Sequence, residues 1–240
     1  MNSVGLVVAL PGEQRTLTSV RLKTGAWSRL NASTLICLAG VGPDRAAAAA
    51  AGLVGQGCKA LVSWGCAAAI STELKAGDLI IPEQVLSASG EAFDTDREWR
   101  GRLLDRLPDR QAIHTGTITE SRTLVAAAAE KRAIRNRTGA IALDMESVAI
   151  ARIAAEKSLP FVTIRAIADP ASMDLPKPVF LALKQNGDLN LPLLLALIAR
   201  YPSSIPGLIQ LGICFRAAQR RLRLIARGLE YDFIRDIAGP

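Results

Sequence analysis

The chain has a single histidine, His114, and its four cysteines, Cys37, Cys58, Cys66 and Cys214, include no C-x-x-C pair. This inventory removes the usual zinc ligand sets. It leaves Ser-His-Asp or Cys-His catalysis only to a site built on His114, which reads as a structural residue. Scattered cysteines of this kind suit reduced, core-filling positions in a cytoplasmic protein. With no base identifiable near it, Cys66 reads as a small packing residue rather than a nucleophile. Aromatic residues make up only 4% of the chain and no nucleic-acid-binding module is present, so the net charge of +7 is not read as a nucleic-acid footprint. Long apolar runs are missing too. "LPLLLALIA" (191–199) is far too short to span a bilayer, and the N-terminal run ends at Leu10 with no basic leader, which reads as a strand and not a signal peptide. The most local absence is of acids. Between Leu189 and Leu229 there is no Asp or Glu, while Arg200, Arg216, Arg220, Arg221, Arg223 and Arg227 all fall there.

What is present is a chain of 240 residues, half of them hydrophobic, enough for one large α/β domain and an appendage. Short apolar, β-branched runs at 4–10, 34–40, 60–65, 78–86, 112–118, 140–144 and 160–169 read as strands. Between them "PDRAAAAAAGLVGQG" and "ESVAIARIAAEKS" read as helices, the second stopped by Pro160. Strand–helix alternation predicts an α/β fold with a central mixed β-sheet flanked by helices. The strand signal stops near Pro178. The expected organisation is therefore an α/β domain over 1–178 and a helical, Arg-rich extension over 179–240, the latter with two helices divided by a Pro/Ser turn.

In such folds ligands gather in the loops that follow strand ends. Glu13 follows the first strand, Asp144 and Glu146 stand at a strand-to-helix junction in "IALDMESVAIARI", and Asp169 ends "PFVTIRAIAD". The loop "SWGCAAAI" (63–70) is built of small residues that let a ligand approach backbone N–H groups. Carboxylates converging on a small-residue loop point to a polyhydroxylated ligand and acid/base chemistry.

Three segments, "VGLVVALPGE", "LVSWGCAAAISTELKAGDLIIP" and above all "IALDMESVAIARIAAEKSLPFVTIRAIADPA", resemble the nucleoside phosphorylase/nucleosidase superfamily, which cleaves N-glycosidic bonds of nucleosides. The overlap covers roughly residues 1–175. The C-terminal third, with "DLPKPVFLAL" and the Arg-rich end, is similar to the hopanoid-associated phosphorylase branch, implicated in releasing adenine from adenosylhopane. The resemblance implies roles. Glu146 would accept hydrogen bonds from the ribose hydroxyls, with Met145 packed on the sugar face. Asp169 would be the general acid at purine N7, and Glu13 would activate an attacking water. Gly65, Cys66 and Ala67 would form the substrate or phosphate loop. Arg165 is a candidate to orient an acid, or simply a salt-bridge partner; Arg15 is a candidate phosphate ligand, or a solvated helix residue. Asp144 would support its neighbours from behind. No metal or organic cofactor is implied, phosphate being the one co-substrate, and a homo-oligomer is expected. Three departures bear on substrate choice and phosphate use: Cys66 and Ala168 stand where the family commonly has Ser, and the adenine-contacting aromatic is missing from "ESRTLV" (120–125).

The competing activities are phosphorolysis of adenosylhopane and hydrolysis of the 5′-methylthioadenosine/S-adenosylhomocysteine type. A non-catalytic nucleoside-binding protein is the reading from another class. In the tail, Leu208, Leu211, Phe215, Ala218, Leu222 and Ile225 mark an apolar helical stripe beside Arg216, Arg220, Arg223 and Arg227. Such a helix suits either an anionic membrane at the inner face, or docking on its own domain or a partner subunit.

Overall fold

The computed structural model describes residues 3–107, 112–182, 190–229 and 233. A single mixed sheet organises them, in the order β2(Trp27–Asn31), β3(Thr34–Leu38), β1(Ser3–Val8), β4(Cys58–Ala69), β10(Ala142–Asp144), β9(Ile118–Glu120), β6(Gln84–Leu86), β7(Ala92–Asp94). A branch leaves β4: β11(Phe161–Asp169) pairs with it, then β5(Leu79–Ile80) and β8(Ile113–His114) follow.

Strand β4 is the axis of this arrangement. At twelve residues it outruns β1, which pairs parallel with it only from Cys58 to Ser63. Beyond that point its vacated edge accepts β10 in antiparallel sense at Ala68 and Ala69, while β11 runs parallel along its other edge. The three strand ends carrying Cys66–Ala67, Asp144 and Asp169 are thereby brought to one place. Two predicted strands are each divided in two. The 78–86 run breaks around Pro82, which has no N–H to give a ladder, and the 112–118 run breaks around Gly116.

Helices cover both faces. On one, α2(Pro43–Gly55) and α5(Ser147–Glu156) pack Ala46, Ala50, Leu53, Val148 and Ile150 against Val7, Leu35 and Leu61. The alanine run lets α2 lie close to β1. At Gly5 a Cβ would stand 3.0 Å from the Leu53 Cβ, so this contact tolerates little more than hydrogen. On the other face α3(Arg97–Arg106) and α8(Ile205–Gly228) set Trp99, Leu103, Ala218, Leu222 and Ile225 against Leu6, Val62, Trp64 and Ile164. The Trp64 and Phe233 rings meet edge to face with centroids 5.7 Å apart. The remaining helices are α1(Pro11–Gln14), α4(Ala128–Thr138), α6(Lys177–Ala182) and α7(Leu191–Arg200), with a short 3₁₀ turn at Pro202–Ser204 leading into α8. The predicted stripe on α8 thus divides. Its C-terminal part, Ala218 to Ile225, is core, whereas Leu208 and Leu211 are half-buried.

Candidate active site

A cavity of about 260 Å³ opens where these strand ends meet. Its polar groups come from four places: Glu13 on α1, the Cys66–Ala68 stretch of β4, Asp144–Glu146 at the β10–α5 junction, and Asp169 at the end of β11. Thr123 adds one hydroxyl, and the rest of the lining is apolar, including Leu124, Val125, Leu175, Val179 and Leu211.

The two acids of "IALDMESVAIARI" have different tasks. Asp144 starts α5: its Oδ1 accepts the backbone N–H groups of Glu146 (3.3 Å) and Ser147 (3.1 Å), two donors that a helix start leaves unpaired. Its Oδ2 accepts Arg165 Nε at 2.6 Å and the Ser147 hydroxyl. With capping assigned to Asp144, Glu146 makes no side-chain cap. It turns instead toward the cavity, where Oε1 accepts the Gly42 N–H at 3.0 Å and Oε2 stands 3.7 Å from Arg165 Nη2.

Glu13 is almost wholly buried, and its carboxylate accepts three backbone N–H groups: Ala9 (3.0 Å), Leu10 (2.9 Å) and Cys66 (2.8 Å). Beneath these acids lies Arg165, 1% exposed, which also donates to Ser63 (2.7 Å) and Ser147 (3.2 Å). One guanidinium thus faces Glu13, Asp144 and Glu146, too few cations for three buried anions. The protonation states follow. Burial pushes the Glu146 carboxyl up to about 7, against the pull of Arg165 and with the Asp144 charge adding to the rise. Glu13 is likewise raised by burial, opposed by Arg165 and the three N–H groups. The Cys66 thiol is pushed well above its ordinary value by burial and by the Glu13 charge, which leaves it unreactive.

Asp169 is aimed by a register shift: Ile167 pairs with Ala67 but Asp169 with Ala68, so Ala168 is the extra residue of a bulge. Its Oδ1 accepts Lys131 Nζ at 2.7 Å. Lys131 is fully buried and gives its other two hydrogen bonds to the carbonyls of Pro170 (3.0 Å) and Met173 (2.9 Å). Burial raises the Asp169 carboxyl above its ordinary value, while Lys131 pulls it down. No described donor reaches Oδ2, which is left for a ligand. Lys131 was invisible to the sequence reading. It sits in "VAAAAEKRAI" on α4, whose fully buried residues are only Ala128 and Lys131, with Ile134 partly buried beside them, so no clear apolar periodicity marks it.

Of the remaining candidates, Met145, Cys66 and Ala67 line the cavity. Gly65 and Arg165 lie behind it, in contact with Glu13, and Arg15 is exposed outside it. His114 stands 3.4 Å from Asp78, away from the cavity. Among the described residues no cluster of three or more His, Cys, Asp or Glu could hold a metal ion.

Gly65 is a position where glycine is required by space. A Cβ there would be 2.5 Å from Glu13 Oε1 and closer still to Arg165 Nη1. Overpacking of this kind costs about 1–3 kcal/mol, and each kcal/mol moves Tm by about 2–4 °C at this chain length. Gly65→Ala is expected to melt several degrees lower; an unchanged Tm in a thermal scan would show that Glu13 and Arg165 have room to move.

An acid-ringed cavity at the strand ends of such a sheet defines a class. The chain belongs to the phosphorylase superfamily, whose family model matches residues 6–201, and by class it is a nucleoside phosphorylase or nucleosidase. The 5′-methylthioadenosine/S-adenosylhomocysteine nucleosidase of S. pneumoniae, solved with a transition-state inhibitor, shares its fold with a TM-score of 0.70 at 18% identity over 98% of this chain and 100% of that one. The corresponding nucleosidase of Neisseria meningitidis, in complex with methylthio-immucillin-A, gives 0.69 at 18% identity, covering 96% and 99%. Futalosine hydrolase of Helicobacter pylori gives 0.69 at 11% identity, covering 96% and 97%.

Proposed function

We propose that this enzyme breaks the N-glycosidic bond of an adenosine-type nucleoside carrying an apolar 5′ substituent and releases adenine. The observation that supports this best is that Lys131-held Asp169 lines the same cavity as Glu13 and Glu146. As the bond breaks, positive charge grows on the ribose and negative charge on the base. Asp169, its proton affinity raised by burial, protonates the base at N7 through the free Oδ2. Ionised Glu146 accepts the ribose hydroxyls, which an anionic carboxylate can do for two donors at once. Met145 lies against the sugar face. Leu175, Val179 and Leu211 have no polar group in their side chains and suit an apolar 5′ group.

The resemblance favours phosphorolysis, with adenosylhopane as substrate in hopanoid biosynthesis, in a homo-oligomer touching an anionic membrane surface. One observation favours hydrolysis as the second reading. Among the described residues no Lys or Arg lines the cavity, and the buried Arg165 and Lys131 are already engaged by carboxylates, so a phosphate dianion would meet four acids and no free cation from these residues. Water activated by Glu13 meets no such obstacle. Adenine release from a 5′-alkylthio-adenosine, followed with and without phosphate, separates the two. Release only with phosphate establishes phosphorolysis, phosphate-independent release establishes hydrolysis, and no release from any adenosine by the folded protein would overturn the reading.

A further inference from the structure

Helix α7 has the sequence LPLLLALIAR, and not one of its residues is buried. Among the described residues the exposed large hydrophobic side chains, Val20 and Trp27 apart, all fall between Phe180 and Leu224. All but one come from three successive helices, α6, α7 and α8. Leu191 (60% exposed) and Leu195 (66%) come from α7, and Ile205, Ile209 and Ile213 follow at intervals of four along the outer face of α8. Past Ile213 that same outer face turns basic, with Arg216, Arg220, Arg223 and Arg227 all exposed. No acid occurs anywhere from Asn190 to Leu229.

We propose that α7 and the first turns of α8 form a surface that inserts shallowly into an anionic lipid bilayer, and that the substrate's apolar part enters the cavity directly from it. This deepens the reading that the substrate carries an apolar 5′ substituent. The arginine border fits anionic headgroups beside an apolar face buried among acyl chains. A second copy of the chain fits worse. In a two-fold contact the same patch meets itself, and its border of Arg216, Arg220, Arg223 and Arg227 would face the same arginines in a segment that contains no acid. Insertion is not spanning: at ten residues α7 is about 15 Å long, roughly half the hydrocarbon thickness, and it meets α8 at a bend of 107°. No single described helix is long and apolar enough to cross.

Helices α6 and α8 also line the site. Leu211 lies between Ile209 and Ile213 on α8 but faces the cavity, and Val179, one residue before exposed Phe180, does the same from α6. An apolar chain in the bilayer could therefore pass these two residues into the site without crossing water. The surface is also distinct from the helix face marked by the apolar periodicity, whose C-terminal half is spent on the sheet.

The test is co-flotation with phosphatidylglycerol vesicles, phosphatidylcholine vesicles serving as the uncharged control. It is done on the wild type and on the triple variant Leu195→Asp/Ile209→Asp/Ile213→Asp, with circular dichroism to verify folding. The wild type is expected to float with phosphatidylglycerol, less at high salt and less with phosphatidylcholine. The variant should lose at least tenfold in bound fraction while keeping wild-type adenine release from a water-soluble 5′-methylthioadenosine, and should fail on a long-chain 5′-alkyl adenosine held in vesicles. A folded variant that floats like the wild type overturns the proposal, as does a wild type that ignores phosphatidylglycerol. So does a variant that changes from dimer to monomer by light scattering with vesicle binding intact, which assigns the face to a second copy. Absence of adenine release from the soluble nucleoside would count against the catalytic reading, while flotation still judges the surface.

Discussion

Asp169→Asn is expected to lower kcat for adenine release by roughly 10²–10⁴-fold, the range general acid catalysis contributes. The amide can still donate a hydrogen bond through its nitrogen but cannot transfer a proton to the leaving base. Binding of adenine itself should persist, because the cavity walls at Leu124 and Val125 are untouched. The pH profile carries a second, independent signature. Activity should fall as pH drops through about 7, where Glu146 takes up its proton and can no longer accept both ribose hydroxyls. A second limb belongs to Asp169, whose carboxyl is raised by burial: activity should fall as pH rises past the point where it loses the proton it must deliver. Lys131→Met then separates positioning from bulk stability. Lys131 pulls the Asp169 carboxyl down, so its removal moves the alkaline limb to higher pH even as kcat falls. A Lys131→Met enzyme with reduced activity and an unmoved alkaline limb would mean that the lysine only holds the Pro170–Met173 turn in place.

These residues were not equally visible in the sequence. The strands nearest the site announce themselves because they are buried on both faces: Phe161–Asp169 has no exposed position, so it reads as a mostly apolar run, broken only by Thr163 and Arg165, that ends in an acid. The helices α2 and α5 and the α7–α8 pair were visible for the complementary reason, their apolar periodicity. Helices α3 and α4 were not visible, because each fully buries only a few side chains: Trp99 and Leu103 from α3, Ala128 and Lys131 from α4. Tertiary context, rather than an apolar stripe, makes them helices. Charge hid the rest. Arg165 reads as a polar interruption in a core strand, and only the fold shows three acids closing on it. Asp144 and Glu146 look alike on paper, two residues apart. Their division of labour depends on which one meets the N–H groups at the start of α5, and that is decided by chain direction at Met145. Helix α8 misleads in the opposite way: the C-terminal half of its best periodic stripe is core, and the exposed isoleucines lie on a different face.

The largest effect on stability is expected at Arg165. It is 1% exposed and bonded to Asp144, Ser63 and Ser147, with Glu146 alongside, so Arg165→Met removes the one cation among three buried acids. Breaking a buried ion pair from one side costs about 3–5 kcal/mol, because the partner charge is left without compensation. At about 2–4 °C per kcal/mol for a chain of this size, Tm should fall by roughly 6–20 °C. The loss should depend on pH in a definite sense. Without the guanidinium the native carboxyls bind protons more tightly than the same groups do in the unfolded chain, whose values lie near 4. The folded state then holds more protons, and stability declines as pH rises above that range. The deficit of Arg165→Met should therefore be larger at pH 8 than at pH 5. Arg165→Lys keeps the charge but not the planar fork that reaches Asp144 and the two serines together, so it should fall in between. Adding Asp144→Leu to Arg165→Met should recover part of the loss, since it withdraws an anion that no longer has a partner. Thermal unfolding of the wild type, the two Arg165 variants, Asp144→Leu and the double variant at both pH values decides it. A deficit equal at pH 5 and pH 8, or a double variant that loses the sum of the two single changes, would mean that the arginine stabilises the fold by packing alone. The charge balance now assigned to Glu13 and Glu146 would then have to come from elsewhere.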